Sequence, residues 1–241
     1  MTTLSDLLRD DRLDEAIELM NGEVRANPTD VNRRANLAEL LCISGNLERA
    51  DVILDAVGNL DPSTGVGVAL FRQLVRAEQA RRQFHTEGRA PEFLAKPDAV
   101  TELSLKAAVV ARAGDLKAAA DLVAERDALS ASVSGVADGA AFDDFRDLDD
   151  ILAGHLEVLT STGKYFWVPL ANVVAIELRP PERRRDLIWR RAHLAVNAGP
   201  DGEVFLPAIY VSPDPTPAQK LGHETDFTGG DGEPIRGVGL R

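Results

Sequence analysis

The sequence predicts an α+β protein, in which an all-helical N-terminal region is followed by a mainly antiparallel, curved sheet with a packed helix. Two observations support this prediction. In the first half of the chain, Ala16 recurs as Ala50 and Pro28 as Pro62, a distance of 34 residues that matches the period of the tetratricopeptide (TPR) helix pair. After residue 155, the apolar residues change from helical spacing to alternation, which is typical of strands.

The second repeat shows why this period predicts paired helices. Apolar residues recur at helical spacing over 37–41 and again over 47–57, and Gly45 interrupts them. Pro62 closes the unit because proline lacks the N–H donor that a helix needs. The first repeat has the same apolar pattern and closing proline, but its first helix is shortened. Residues 114–119 resemble a partial third copy. Stacked helix pairs build binding surfaces, so the repeat favours recognition over catalysis.

Between the clear repeats the pattern predicts further helices. A long helix is expected over 68–85, and its far end, 78–82, is charged all round. Two prolines in 89–97 indicate a loop, after which a helix is expected over 98–113. The N-terminal region should therefore contain six or seven helices, of which two pairs are TPR-like. An irregular helical bundle is the alternative.

Composition changes near residue 131 and divides the chain into two predicted domains, 1–131 and 142–241. The segment 132–141 is rich in Ser, Gly and Ala and is interpreted as a linker. An apolar stripe beginning at Phe142 predicts a helix over 142–154. Its five aspartates are interpreted as an acidic first turn and a solvated face, rather than as a metal site.

Five short apolar runs predict the strands of the C-terminal sheet. They cover residues 156–160, 165–168, 173–178, 193–196 and 203–206. Turn residues at 161–164 and 199–202 favour hairpin connections and therefore antiparallel pairing. The last thirty or so residues are rich in Gly, Pro and Asp and are expected to form a loop-rich tail.

Charge and cysteine content narrow the functional classes. The chain has 241 residues and a net charge of −12, so its average field repels nucleic acid and anionic membranes. A single cysteine, Cys42, excludes an intramolecular disulfide and favours a reducing compartment. The N-terminus does not resemble a signal peptide and no stretch is long enough to span a bilayer. We therefore expect a cytoplasmic protein.

Motifs for chemistry fail at specific positions, and no catalytic residue, cofactor or metal is expected. Gly163-Lys164 is not a phosphate loop, since Tyr165 stands where Ser or Thr is required. His223 and Glu224 begin like a zinc-protease helix, but Phe227 replaces the second histidine. The four histidines are widely separated, and a thiol within an apolar helix face is usually inert.

A basic cluster around Trp189 is the strongest local charge anomaly. It contains Arg183, Arg184, Arg185, Arg190 and Arg191, interrupted by Asp186. Guanidinium groups beside an aromatic ring can grip phosphates or bases. They can equally pair with acidic residues of a partner or of this chain, and the overall negative charge favours that interpretation. Nucleic acid is therefore an unlikely partner.

The ordered C-terminal blocks resemble one known family. The blocks are Leu156–Leu159, Gly163–Pro169, Arg185–Ala192, Gly202–Tyr210 and Arg236–Gly239. They are similar to the ImpE family, also called the TagJ or SciE-type family, an accessory component of bacterial type VI secretion. The likeness extends over almost the whole chain, because that family also has a TPR-like helical N-terminal domain.

The resemblance implies a non-enzymatic, cytoplasmic adaptor. Members of the family are associated with the small subunit of the contractile sheath, through that subunit's N-terminal helix, and thereby indirectly with the ATPase that recycles the sheath. It transfers no catalytic residues to this chain. A generic TPR-type scaffold remains the first alternative, and a protein that binds nucleic acid or a small molecule through residues 183–191 is the second.

Two candidate surfaces could hold a partner. On the inward helix of the second repeat, the candidates are Asn32, Ala35, Glu39 and Cys42. On the sheet region, they are Tyr165, Trp167, Arg185, Asp186, Trp189 and Arg190. Trp, Tyr and Arg most often supply binding energy, but a buried aromatic core with a structural Asp–Arg pair explains the second set equally well.

Overall fold

The computed structural model of this protein describes residues 2–241. Its helices are α1 (Leu4–Arg9), α2 (Leu13–Ala26), α3 (Val31–Ser44), α4 (Leu47–Leu60), α5 (Gly65–Glu87), α6 (Ala99–Arg112), α7 (Leu116–Leu129) and α8 (Pro217–Leu221). Its strands are β1 (Gly135–Ala137), β2 (Ala140–Phe142), β3 (His155–Leu159), β4 (Tyr165–Pro169), β5 (Val173–Leu178), β6 (Trp189–Val196), β7 (Asp201–Pro207), β8 (Thr225–Gly230) and β9 (Glu233–Gly239). Helices precede the main sheet, which confirms the predicted α+β class.

The helical region has seven helices between residues 2 and 131, within the predicted six or seven. Successive helices from α1 to α5 pack against each other. Asp30 caps α3 by accepting two backbone N–H groups of its first turn. The helix ends at Gly45, whose φ of 91° lies in the left-handed region. Ala16 and Ala50, at equivalent positions of the two repeats, are fully buried and allow the helices to approach closely.

The 23-residue helix α5 contacts both the other helices and the sheet. The sequence predicts that its far end is charged all round, yet Glu78 and Arg81 are only 3% and 2% exposed. Two of the charged side chains at this end of the helix are therefore buried instead of solvated. Burying charged groups is costly unless they are paired and hydrogen-bonded, so the sheet must supply partners for them.

Five strands form an antiparallel sheet in the order β4-β3-β7-β6-β5. Leu159 of β3 lies opposite Tyr165 of β4 on one side and opposite Phe205 of β7 on the other. Phe205 in turn lies opposite Arg191 of β6. These strands are the five runs that alternate in the sequence, so this part of the prediction is confirmed.

The sheet is strongly curved, as its connections require. β4 and β5 form opposite edges, yet a 3₁₀ turn at Leu170–Asn172 is all that joins them. In a flat sheet, four strand spacings would separate these edges by roughly 19 Å, whereas the step from Pro169 to Val173 spans at most about 14 Å. The sheet therefore curls around a small core of its own, formed by Val158, Val168, Leu194 and Val196.

The helix predicted over 142–154 is wrong, because residues 143–154 form irregular backbone with bends and turns. The Asp147 carboxylate accepts the N–H of Asp149 at 2.8 Å, and the Asp149 carboxylate accepts the N–H of Ile151 at 3.0 Å. Such bonds to the backbone two residues later stabilise turns and compete with helical hydrogen bonding. The helix that the C-terminal region does contain is the short α8.

Two hairpins occupy segments for which no regular structure was predicted. The segment interpreted as a linker contains β1 and β2, and the expected loop-rich tail contains α8 followed by β8 and β9. Both hairpins turn at an Asp-Gly pair, Asp138-Gly139 and Asp231-Gly232, with positive φ at all four residues. Positive φ at both central residues defines the type I′ turn, for which Asp-Gly is a preferred sequence.

The helical region and the sheet share one continuous hydrophobic core. The ring of Phe84 in α5 lies 4.8 Å from that of Trp167 in β4, edge to face. Phe71, between three and four turns earlier on the same helix, lies 6.2 Å from Trp189 in β6. The junction between the helical region and the sheet is therefore a packed interior.

Candidate partner-binding surfaces

The candidate residues on α3 pass from the surface into the interior. Asn32 is exposed and Ala35 is half-buried, whereas Glu39 and Cys42 are 7% and 1% exposed. Burial raises the pKa of the Cys42 thiol above its usual range. A protonated, enclosed thiol is a weak nucleophile, so Cys42 acts as a small packing residue.

A turn of the C-terminal region covers the inner part of this helix face. Arg184 donates to the side-chain oxygen of Asn36 at 3.1 Å. The Arg185 guanidinium lies 3.8 Å from the Glu39 carboxylate and 4.5 Å from the centre of the Phe71 ring. The two surfaces that the sequence offered as alternatives therefore lie against each other, and the chain itself occupies much of this groove.

The pKa values at this contact follow its burial. Burial raises the pKa of Glu39, and the positive charge of Arg185 opposes that shift. Burial also lowers the pKa of Arg185, with the neighbouring Arg183 acting in the same direction. Because the carboxylate and the guanidinium are both partly desolvated, each stabilises the charged form of the other.

The aromatic candidates of the sheet are interior residues. Tyr165, Trp167 and Trp189 are 2%, 0% and 2% exposed. The Trp167 indole donates to the Tyr165 hydroxyl at 2.5 Å, and that hydroxyl donates to Glu157 at 2.5 Å. The Trp189 indole donates to Glu78 at 3.3 Å, so the polar atoms of all three rings are hydrogen-bonded inside the protein, as buried Tyr and Trp require. These three side chains are therefore not exposed to a partner.

A buried ion-pair network at Glu157 connects α5 to the sheet. Arg81 donates to Glu157 and to the carbonyl of Ile209, both at 2.9 Å. Arg241 also lies 2.7 Å from Glu157, and His85 lies 3.2 Å from it. Burial alone would raise the pKa of Glu157, but the charge of Arg81 and the hydrogen bond from His85 hold it well below its usual range. The carboxylate is therefore ionised inside the core.

The comparisons with known proteins agree with the sequence resemblance. Residues 139–241 match the family described as ImpE protein. The chain is 30% identical over 224 residues to the type VI secretion system accessory component TagJ of Pseudomonas aeruginosa PAO1, covering 92% of this chain and 79% of that protein. The chain belongs to the ImpE family.

A solved structure from another organism supports the fold of this ImpE-family chain. The crystal structure of protein VPA1032 from Vibrio parahaemolyticus is 32% identical to it, with a TM-score of 0.92. The match covers 98% of this chain and 89% of that one. The helical region and the sheet therefore occur together in a protein whose structure was determined by crystallography.

In this ImpE-family chain, Asp186, Arg190 and Arg191 of the basic cluster also have partners within the chain. The Asp186 carboxylate accepts the backbone N–H of Arg183 at 2.9 Å, and Arg190 donates to the Asp186 carbonyl at 3.3 Å. Arg191 lies between Glu182 and Glu203, at 3.8 Å and 3.7 Å from their carboxylates. Two of the five arginines, Arg185 and Arg191, therefore lie within 4 Å of a carboxylate, and the side chains of Arg184 and Arg190 bond neutral oxygens of the chain.

The acidic run at 147–150 is a structural site that the sequence reasoning missed. Asp149, which is 1% exposed, accepts bonds from the Arg236 side chain at 2.8 Å and from the Gly237 N–H at 3.0 Å. Asp150 accepts the N–H of Ile235 at 2.6 Å. These aspartates hold β9 in place instead of forming a solvated face. The Asp231-Gly232 turn signal was the clue to the hairpin that they anchor.

Within residues 2–241, no group of three or more His, Cys, Asp or Glu side chains is arranged to hold a metal ion. A cavity of about 50 Å³ lies beside Cys42, Arg81 and Trp189, which is room for a few water molecules. No helix in this part of the chain is both long and apolar enough to cross a membrane.

Proposed function

We propose that this protein is a non-enzymatic accessory component of a type VI secretion system, which works in the cytoplasm and acts by binding another component. The similarity to TagJ over 92% of the chain carries this proposal. The chemistry of the interior supports it, since Cys42 is enclosed and the Arg81–Glu157 pair joins two parts of the fold.

In this proposal the partner is the small subunit of the contractile sheath, bound through its N-terminal helix, and the recycling ATPase is reached indirectly. The ImpE resemblance suggests this partner. A fold of packed helices and a curved sheet suits the task, because capture of an amphipathic helix needs a firm apolar surface and no reaction centre. The net charge of −12 favours a partner segment that carries basic residues.

Co-purification with the sheath small subunit tests this function. The tagged protein is expected to retain the full-length subunit and to lose it when the N-terminal helix of the subunit is deleted. Circular dichroism of the truncated subunit shows whether it is still folded. Undiminished binding of a folded, truncated subunit would remove the proposal in this form.

A generic TPR-type scaffold with a different partner is the remaining alternative, and it would be favoured if the sheath subunit did not bind at all. Binding of nucleic acid through the basic cluster is less well supported, because Arg184, Arg185 and Arg191 contact side chains of this chain. A gel shift at low salt that Arg184→Glu weakens would be needed to restore that possibility.

A further inference from the structure

An exposed apolar area surrounds the β1–β2 hairpin, and we call it the hairpin patch. It consists of Leu129, Phe142, Phe145 and Leu148, whereas Val136, which lies opposite Ala141, is on the other face of the hairpin. Leu148, Leu129 and Phe145 are 61%, 59% and 45% exposed, and Phe142 is half-buried. These four large apolar residues lie within twenty residues of the sequence. Such a concentration on the surface is typical of an interaction site.

The hairpin patch is held in a defined arrangement. The rings of Phe142 and Phe145 lie 5.7 Å apart. Phe142 also covers Gly135 so closely that an added Cβ would stand 2.6 Å from the ring. The backbone N–H of Phe145 donates to the carbonyl of Val133 at 2.9 Å. The apolar groups are therefore displayed on fixed backbone and not on a loosely attached loop.

The hairpin itself lacks a covering element. Among residues 2–241, β1 and β2 pair with each other and make no extensive contact with another helix or strand. Their turn at Asp138-Gly139 has φ values of 49° and 86°, which fix a tight type I′ geometry. The guanidinium of Arg126 in α7 donates to the carbonyl of Asp150, which places the segment after β2 beside the end of α7.

Exposed carboxylates lie close to the hairpin patch along the chain. Glu125, Asp138 and Asp143 are exposed, and within residues 2–241 none of them forms an ion pair. The nearby Arg146 pairs with Asp144 at 3.1 Å, so its charge is already compensated. A second copy of this chain would bring like charges together, whereas a basic partner would neutralise them.

We infer that the hairpin patch docks an amphipathic helix whose apolar stripe is flanked by Lys or Arg. This inference rests on the proposed function, and it assigns the sheath subunit's helix to this surface instead of to either surface that the sequence suggested. The apolar stripe of the helix covers Phe142, Phe145 and Leu148, and its basic flanks face Asp138 and Asp143. This is the binding mode in which an amphipathic helix places its apolar face on a hydrophobic surface.

A matched pair of double variants tests the docking site. Phe145→Asp with Leu148→Asp places charge in the patch, whereas Val52→Asp with Val66→Asp makes the same change at exposed positions, 69% and 88%, outside the patch. Titration calorimetry with the sheath small subunit should show at least about thirtyfold weaker binding for the patch variant, the loss expected at a binding hot spot. The control variant should bind within about twofold of wild type.

A second variant tests the charge requirement without changing the apolar groups. Asp138→Asn with Asp143→Asn keeps the turn, because Asn tolerates positive φ. This variant should bind more weakly than wild type, and its affinity should depend less on salt concentration. Affinity and salt dependence equal to those of wild type would overturn the basic character of the occupant.

The outcomes separate the inference from the function on which it rests. If wild type binds the sheath subunit and the patch double variant binds equally well, the docking site is wrong and the proposed function stands. If wild type does not bind the subunit, both fail. If wild type sedimented as a dimer and the patch variant as a monomer, a second copy would be the occupant and the helix inference would be overturned.

Discussion

The junction between α5 and the sheet differs from the hairpin patch in how it treats charge. At the junction, Arg81 and Glu157 are 2% and 0% exposed and bonded to each other. Around the patch, Asp138 and Asp143 face solvent beside exposed apolar groups. Paired buried charges define how two parts of a fold fit together, whereas uncompensated surface charges remain free to select a partner. The first region thus determines the structure, and the second has the character of a recognition site.

Charge density along the sequence does not indicate which side chains are exposed. The basic cluster near Trp189 is conspicuous, but Arg185 lies over the Phe71 ring and its side chain is only 13% exposed. The acidic run at 147–150 looks like a solvated face, but Asp149 is buried beneath β9. Only the carboxylates that fail to find a cation within the fold remain available to a partner.

The largest effect is expected from removing the central cation of the junction. Arg81→Met leaves Glu157 buried without its main counter-charge, and breaking a buried pair from one side costs roughly 3–5 kcal/mol. The matched change Arg72→Met removes a more exposed bond to Asp51 and should cost at most about 1 kcal/mol. Urea unfolding measures both free energies, and equal losses would contradict the distinction between buried and surface pairs.

The next effect is a dependence of stability on pH. His155 stacks on Trp167 with ring centres 4.8 Å apart, and burial, aided by Arg126, lowers the pKa of His155 to about 4. In the unfolded chain the pKa is about 6.5, so between these values the unfolded state binds more protons. The free energy of unfolding should therefore fall as pH falls through this window, by up to roughly 3 kcal/mol.

His155→Gln should remove most of this acid sensitivity, because glutamine does not titrate. His193→Gln is the matched control, since that side chain is 42% exposed beside Asp201. Urea unfolding at about pH 7 and about pH 4.5 gives the comparison. If the two variants lost the same stability between these pH values, His155 would not be the group responsible.

A smaller effect is expected at the turn that covers α3. Arg185→Met removes the guanidinium from the Phe71 ring and from Glu39, which should cost about 1–2 kcal/mol. Arg183→Met, at an exposed position of the same cluster, should change stability by less than about 0.5 kcal/mol. Thermal unfolding measures the stability of both variants. Indistinguishable melting curves would mean that the Arg185 contacts do not stabilise the protein.

The smallest effect on stability is expected at the hairpin patch. Leu148→Asp changes a residue that is 61% exposed and should alter the free energy of unfolding by no more than about 0.5 kcal/mol. Urea unfolding checks this value. A loss of several kcal/mol would show that Leu148 belongs to the folded core, and it would remove the contrast between the two regions.

The periodicity of apolar residues in the sequence was sufficient to predict most of the helices and strands. The 34-residue repeat located the paired helices, and alternation located β3 to β7. Both signals arise because one face of each element is buried against a single core. The same reasoning failed over 142–154, where the spacing of Phe142, Phe145 and Leu148 suggested a helix. Local bonds from Asp147 and Asp149 to the backbone stabilise turns there instead.

The candidate site was less predictable, because it depends on contacts between distant segments. Nothing near Glu39 in the sequence indicates that Arg185 lies beside it, and nothing near Arg81 indicates Glu157. The hairpin patch was not predicted from the sequence for a different reason. The Asp138-Gly139 pair is a recognised turn signal, but the short Gly- and Ala-rich strands around it lack the alternation that identifies a hairpin.

The position of Arg81 also affects how the chain folds during synthesis. Its guanidinium bonds the carbonyl of Ile209, which follows 128 residues later. At about 5–20 residues per second, a ribosome needs roughly 6–26 seconds to make that stretch. For most of this delay Phe84 and Phe71 also lack their partners in the sheet, Trp167 and Trp189, which follow them in the chain. Until the sheet has been made, the apolar side chains of the nascent helices lack part of their cover, and such surface makes a chain prone to aggregation.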